Sequence, residues 1–226
     1  MQLYIGNKNY SSWSLRPWLL MTQLGLPFEE VRLRLDWDAD SDFKKTLLQL
    51  APTGRVPLLV DGDLAVWDTL AIVEYLAEAH PDRGVWPRER KARARARSLC
   101  AEMHSGFSAL RNRFPMNIEA SLIDEGPKAV QDAADVAADV QRIESMWAGQ
   151  IAISGGPWLF GEFSAADAYF APVCSRLRTY GVPVSAETSS YIDRVFGTAA
   201  MQSWCAAARS EHDFIEADEP YRVRPR

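Results

Sequence analysis

Apolar residues along this chain keep two different rhythms. Up to about residue 80, short alternating runs are interleaved with helical ones; beyond that the helical spacing stands almost alone. Leu3-Tyr4-Ile5 predicts a short strand, followed by a polar loop over 6–12 and a helix that runs to about Leu24, with Gly25 as its stop and Pro27 beyond. Proline is tolerated where its missing N–H would be unpaired, in the first four helical positions. Pro17 therefore predicts an N-cap no earlier than Trp13, with Ser11 and Ser12 in the preceding loop. Glu30-Val31-Arg32-Leu33 alternates as a second strand, and 41–50 reads as a short helix. Strands over 56–60 and 64–66 are joined by Asp61-Gly62-Asp63, a hairpin signal, and a helix over 68–79 is closed by His80-Pro81. The order β-α-β-α-β-β-α makes residues 1–80 a small α/β unit.

Residues 81–87, with Gly84 and two prolines, predict a linker, and residues 88–226 a second, all-helical domain. Leu99, Met103, Phe107, Leu110 and Phe114 form one apolar stripe ending at Pro115. Further helices are expected over 126–148 and 165–180, with two shorter ones near Ser189 and Thr198. Ser164-Ala165-Ala166-Asp167 is a capping-box variant with Asp in place of Glu or Gln, expected to be structural. Residues 215–226 lack periodicity and are expected to trail over the surface. There is no internal repeat.

Composition narrows the partners. A hydrophobic content of 47%, a charged content of 24% and a net charge of −5 belong to an ordinary globular protein and give no sign of nucleic-acid binding. The basic run over 88–97, six cations alternating with Ala and Glu, reads as a solvated helix face that could still steer an anion. No apolar stretch approaches the roughly 20 residues that span a bilayer, and the first residues open a strand rather than a signal peptide. Cys100, Cys174 and Cys205 sit far apart among apolar neighbours and read as buried hydrophobes, and the three histidines have no ligand spacing. A reduced, cytoplasmic, metal-free protein is expected, with no membrane partner.

Two segments carry chemistry. In Ala51-Pro52-Thr53-Gly54-Arg55-Val56-Pro57, a proline opens an apolar strand where it withholds a ladder donor. If the Val56–Pro57 bond is cis, the N–H and carbonyl of Val56 turn outward, free for a peptide-shaped ligand. Asp68-Thr69 then opens a helix, whose unsatisfied N–H groups attract a carboxylate while Asp68 can accept from an ammonium. Each feature alone also fits a plain strand start and a plain helix cap. Together they describe a receptor for an amino-acid-like ligand.

In this order, and joined to an all-helical domain, these segments resemble the cytosolic glutathione transferases over nearly the whole chain. Tyr10-Ser11-Ser12-Trp13-Ser14-Leu15-Arg16-Pro17 is similar to the Ser-Ser-x-Ser-x-Arg signature of zeta-type and related bacterial members. The 51–57 segment is similar to the family's Asn-Pro-x-Gly-x-Val-Pro, with Ala for Asn. Asp68-Thr69 matches the acid-Ser pair, with Thr for Ser, and Gly161 to Asp167 matches the capping motif of the helical domain. The resemblance implies a thioredoxin-like first domain that binds glutathione through Ser11, Arg55, Val56, Asp68 and Thr69, a helical domain that binds a small-molecule electrophile, and a homodimer.

A loop serine in place of a cysteine disfavours thiol exchange by the protein itself, so the resemblance makes the sulfur of glutathione the nucleophile. A free thiol has a pKa near ~8.5 and is only about 3% ionised at neutral pH. Lowering that by roughly two units needs about 2.7 kcal/mol. A hydrogen bond to a charged group supplies ~1.5–3 kcal/mol and a helix N-terminus about 0.3–1 kcal/mol. One serine is enough, without a metal. Matched to the signature, Ser11 takes the thiol-contacting role, Ser12 is a second donor and Ser14 caps the helix; alternatively all three only satisfy loop and helix-end N–H groups. Arg16 is either structural or makes the pocket cationic. Met103 and Phe107 are expected to face the electrophile, with His104, Ser108 and Arg111 as a polar stripe beside them; Arg111 falls where zeta-type members have a glutamine. Arg176 and Arg178 are weaker candidates, because Thr179 holds the position of the zeta-type substrate arginine. Conjugation to an electrophile is the leading expectation. Glutathione-dependent cis-trans isomerisation and a non-catalytic interaction module are the alternatives.

Overall fold

The computed structural model describes residues 1–222. Its first part contains β1 (Gln2–Ile5), α1 (Ser12–Gln23), β2 (Glu29–Arg32), α2 (Asp42–Leu50), β3 (Leu58–Asp61), β4 (Leu64–Trp67) and α3 (Thr69–Ala79). The sheet order is β2-β1-β3-β4, with β1 parallel to β2 and antiparallel to β3, and β3 antiparallel to β4. The β-α-β-α-β-β-α order is the one predicted. β3 starts at Leu58, because Pro57 before it has no N–H to give to a ladder.

The rest is helical: α4 (Arg90–Ser105), α5 (Ser108–Arg113), α6 (Glu125–Asp132), α7 (Ala134–Ser154), α8 (Ala165–Thr179), α9 (Ala186–Gly197) and α10 (Ala199–Ser210), with single 3-10 turns at Pro81–Arg83 and Glu216–Asp218. Two helices expected to be continuous are broken. The 99–114 stripe is cut at Gly106, and Phe107 takes a left-handed φ of 56° before α5 restarts with Arg111 N–H on the Phe107 carbonyl at 3.0 Å. A Cβ at Gly106 would stand 2.8 Å from the Glu102 carbonyl oxygen. The helix over 126–148 is likewise cut at Ala133, which has extended backbone. Periodicity missed both breaks because the pieces on each side bury apolar residues at matching spacing.

The start of α1 also differs. Ser11 is its N-cap, so Pro17 lies in the sixth helical position and the Trp13 carbonyl loses its usual donor. The Thr69 hydroxyl reaches that carbonyl at 3.5 Å. Ser14 does not cap the helix; its Oγ accepts from the Gly6 N–H at 3.2 Å and ties α1 to the end of β1.

The main apolar cluster runs without interruption from Leu3 and Ile5 through Leu15, Leu19 and Leu20 of α1 to Tyr169, Phe170 and Cys174 of α8 and Trp204 of α10. A small second cluster gathers Tyr10, Leu35, Phe43, Leu47, Leu58 and Ile215. The three cysteines are buried and unbridged. The chain end corrects an expectation. Residues 215–222 pack down instead of trailing: Ile215 is buried, the Tyr10 hydroxyl donates to Glu219 at 2.6 Å, and the Tyr221 hydroxyl donates to the Arg113 carbonyl at 2.9 Å. The remainder of that segment, 223–226, lies outside the described residues.

Asp167 pins the start of α8. It is fully buried and accepts from the N–H groups of Leu159 and Ser164 at 3.1 and 2.9 Å and from the hydroxyls of Tyr191 and Ser164 at 2.9 and 3.3 Å. Burial pushes its carboxyl up to about 6, and these four donors oppose the shift. Asp167→Ala would strand buried donors at roughly 1–3 kcal/mol each. We expect the variant to lose on the order of 3 kcal/mol or more, read as a lower urea midpoint with an unchanged slope.

Candidate functional site

α1 is buried almost throughout, between the sheet and α8, so its N-terminal end is held in one place and is the part that meets open space. Two adjoining cavities share a wall built from Trp13, Val56 and Arg111.

The first cavity, about 360 Å³, lies over the start of α3 and the 53–57 segment. Thr53, Arg55, Val56, Pro57, Asp68 and Thr69 line it, so six of its lining positions come from the two motifs singled out in the sequence, together with Trp67 and His104. The Val56–Pro57 bond is cis. Asp68 caps α3, with Oδ1 accepting from the Leu70 N–H at 2.8 Å, and its Oδ2 stands 3.3 Å from Nε2 of His104. Its backbone has φ 73° and ψ 131°, a conformation that a residue with a Cβ holds only at a cost of about 1–3 kcal/mol. Thr69 is buried, its hydroxyl turned to the Trp13 carbonyl.

The second cavity, about 340 Å³, is lined by Ser11, Ser12 and Trp13 on one side and by Arg111, Met116, Arg176 and Asp218 on others. Ser11 is buried, and its hydroxyl donates to Oγ of Ser14 at 2.7 Å. The half-buried Ser12 accepts at Oγ from Nη2 of Arg176 at 3.3 Å. Arg176 is buried, and its Nε donates to the Phe114 carbonyl at 2.8 Å. Burial first, then the like charge of Arg111, brings its pKa down to about 10, still well above neutrality. Burial also lowers that of Arg111. The Arg111 guanidinium lies 5.0 Å from the centre of the Trp13 ring and that of Arg16 lies 4.0 Å away, so the indole is held among cations. Arg16 itself is buried with its Nε on the Tyr169 carbonyl at 3.0 Å, on neither cavity.

Ser11, Ser12, Arg55, Val56, Asp68, Thr69 and Arg111 are thus brought to one cleft. Met103 and Phe107 are not. Both are buried in the main cluster and line neither cavity, because the stripe they belong to is the face that α4 and the start of α5 turn into the core. Lining residues not anticipated as site residues include Trp13, Trp37, Trp67, Met116 and Asp218. Trp13 sits inside the serine signature, which was the available signal. Asp218, in a segment without periodicity, gave none.

A family model described as "Glutathione S-transferase, N-terminal domain" matches residues 10–79. Residues 10–79 thus carry the N-terminal domain of that family, and the chain as a whole shares its fold. It is similar to glutathione S-transferase 1 of Dianthus caryophyllus, 27% identical over 76% of this chain and 75% of that protein. A probable maleylacetoacetate isomerase of Caenorhabditis elegans is 30% identical, the match spanning about half of each chain (49% and 49%). A crystal structure of a glutathione transferase homologue from Burkholderia, with bound glutathione, superposes with a TM-score of 0.68 at 25% identity, covering 93% of this chain and 98% of that one. The mixed four-stranded sheet and helical remainder are the fold of this family.

The strained backbone of Asp68 has a measurable consequence. Asp68→Gly relieves the positive φ and, as a cap, glycine costs only a few tenths of a kcal/mol. The variant is expected to be more stable than the parent by roughly 1 kcal/mol, and Asp68→Ala less stable, by thermal unfolding.

Proposed function

We propose that the chain is a glutathione transferase in which the tripeptide lies in the first cavity with its sulfur at the start of α1. The observation that carries this reading is the convergence of Val56, Asp68 and Thr69 on one cavity that adjoins, across Trp13, a second one containing Ser11 and Ser12. The Val56 backbone pairs with the cysteinyl portion. The Asp68 carboxylate takes the γ-glutamyl ammonium, and the N–H groups at the start of α3 take its carboxylate. Arg55, exposed on the rim, suits the other carboxylate of the tripeptide. A serine hydroxyl stabilises the thiolate, which then adds to, or substitutes on, a small electrophile in the second cavity. In this reading residues 1–80 are the glutathione-binding domain and 88–226 the substrate-binding domain, joined through 81–87. The match to the glutathione transferases supports a homodimer, and a cytoplasmic setting goes with it. Among the described residues no helix is long and apolar enough to cross a membrane.

A second reading, reversible addition of glutathione to a conjugated double bond, is favoured by one feature. Arg111 and Arg176 both face the second cavity, and neither forms an ion pair with a carboxylate among the described residues. An unsaturated substrate bearing carboxylates would fit there, and the match to a probable maleylacetoacetate isomerase points the same way.

Calorimetry with glutathione tests the shared premise. We expect binding, and an Asp68→Ala loss of about 10- to 100-fold in affinity, the value of one charge-assisted hydrogen bond. Absence of heat at millimolar glutathione would point instead to an interaction module. Following the glutathione pool during turnover separates the other two, since conjugation consumes it and isomerisation returns it.

A further inference from the structure

A serine hydroxyl has one proton to give, and the two loop serines spend theirs differently. The Ser11 proton goes to Oγ of Ser14, which also accepts from the Gly6 N–H; Ser14 is fully buried and Ser11 nearly so. That pair serves as a clasp between β1 and α1. Ser12 is half-buried on the cavity wall, and its oxygen accepts from Arg176. Among the described residues its own proton has no acceptor. A hydroxyl whose oxygen accepts from a cation is polarised into a stronger donor. Arg176 is fixed for that role: only 5% exposed, it places Nε on the Phe114 carbonyl at 2.8 Å and Nη1 on the Pro172 carbonyl at 3.4 Å, leaving Nη2 toward Ser12.

We infer that Ser12, polarised by Arg176, supplies the principal hydrogen bond to the glutathione thiolate, and that Ser11 chiefly holds the loop. This rests on the glutathione reading above. The thiol proton leaves to water, the thiolate accepts the Ser12 O–H, and the Ser12 oxygen keeps the Arg176 N–H; no other bond is made or broken before the electrophile arrives. Arg176 is a positioning residue, acting through Ser12. The charged and titratable groups around the sulfur's place are Tyr10, Arg111, Arg176 and Asp218 of the second cavity and Arg55, Asp68 and His104 of the first.

The experiment is a pH titration of the thiolate ultraviolet absorbance of bound glutathione, in the full-length protein and in variants whose thermal unfolding is checked first. In the parent the midpoint is expected well below that of glutathione in buffer. Ser12→Val should raise it by about one to two units, more than Ser11→Ala does, while Ser12→Thr, which keeps a hydroxyl, should restore most of the drop. Arg176→Met should raise the midpoint by about one unit, Arg176→Lys by less, and Arg176→Met should add little in a Ser12→Val background. Because Ser12→Val and Ser12→Thr are nearly equal in shape, that comparison stands even if the Arg176 variants fold poorly. A larger shift in Ser11→Ala than in Ser12→Val would overturn the assignment to Ser12. Full additivity of Ser12→Val and Arg176→Met would overturn the role of Arg176 through it. A parent midpoint equal to that in buffer would sink the glutathione reading itself, and the inference with it.

Discussion

The burial of α1 between the sheet and α8 is the constraint on which the site depends. Leu15, Leu19, Leu20 and Met21 have no exposed surface, and Trp18 and Arg16 almost none. Side chains so enclosed have one arrangement, and moving the helix would open cavities at costs of several kcal/mol. Polar anchors fix it lengthwise: Arg16 Nε on the Tyr169 carbonyl, Ser14 on the Gly6 N–H, and, just before the helix, the Trp204 indole N–H on the Lys8 carbonyl at 2.9 Å. The result is that the N-terminal turn, with Ser11, Ser12 and Trp13, is carried by both halves of the molecule at once. A helix start is a place for an anion, and here it is held rigidly at the edge of a cleft.

That cleft, with the buried Arg16 behind it, is unusual in its balance of charge. Arg16, Arg111 and Arg176 lie close enough for their like charges to be felt among them, and burial lowers the proton affinity of all three. Asp218 is the carboxylate that lines the second cavity with two of them. Buried cations without ion-pair partners are costly unless something else occupies them. Part of that cost is met by backbone carbonyls and by the Trp13 indole, and part is available to an anionic guest. The strained Asp68 belongs to the same pattern, since backbone conformations of this kind persist where function needs the residue's position.

The chain end adds a further wall. Tyr10 precedes the serines and is bound through its hydroxyl to Glu219, while burial and the nearby Glu219 carboxylate keep the phenol firmly protonated. Ile215 joins the small second cluster, so the terminal segment is held by apolar packing as well as hydrogen bonds. The same segment contributes Asp218 to the wall of the second cavity.

The sequence by itself determined the order of strands and helices, the cap at Asp68, the proline before β3, the Ser164–Asp167 box, and most of the first cavity. Those are local matters: alternation, capping and turn chemistry act over a few residues, and the motif residues lie within one continuous stretch of chain. The tertiary structure alone decided the rest. It cut two helices at Gly106 and Ala133, since equal apolar spacing on both sides of a break is indistinguishable from one helix. Met103 and Phe107 were drawn into the core because an apolar stripe records that a face is covered without recording by what. Arg176 was brought to Ser12, and Asp218 to the cavity, across separations of 164 residues or more. Such pairings depend on how helices pack, and packing is settled by the summed fit of distant side chains rather than by any short run of residues.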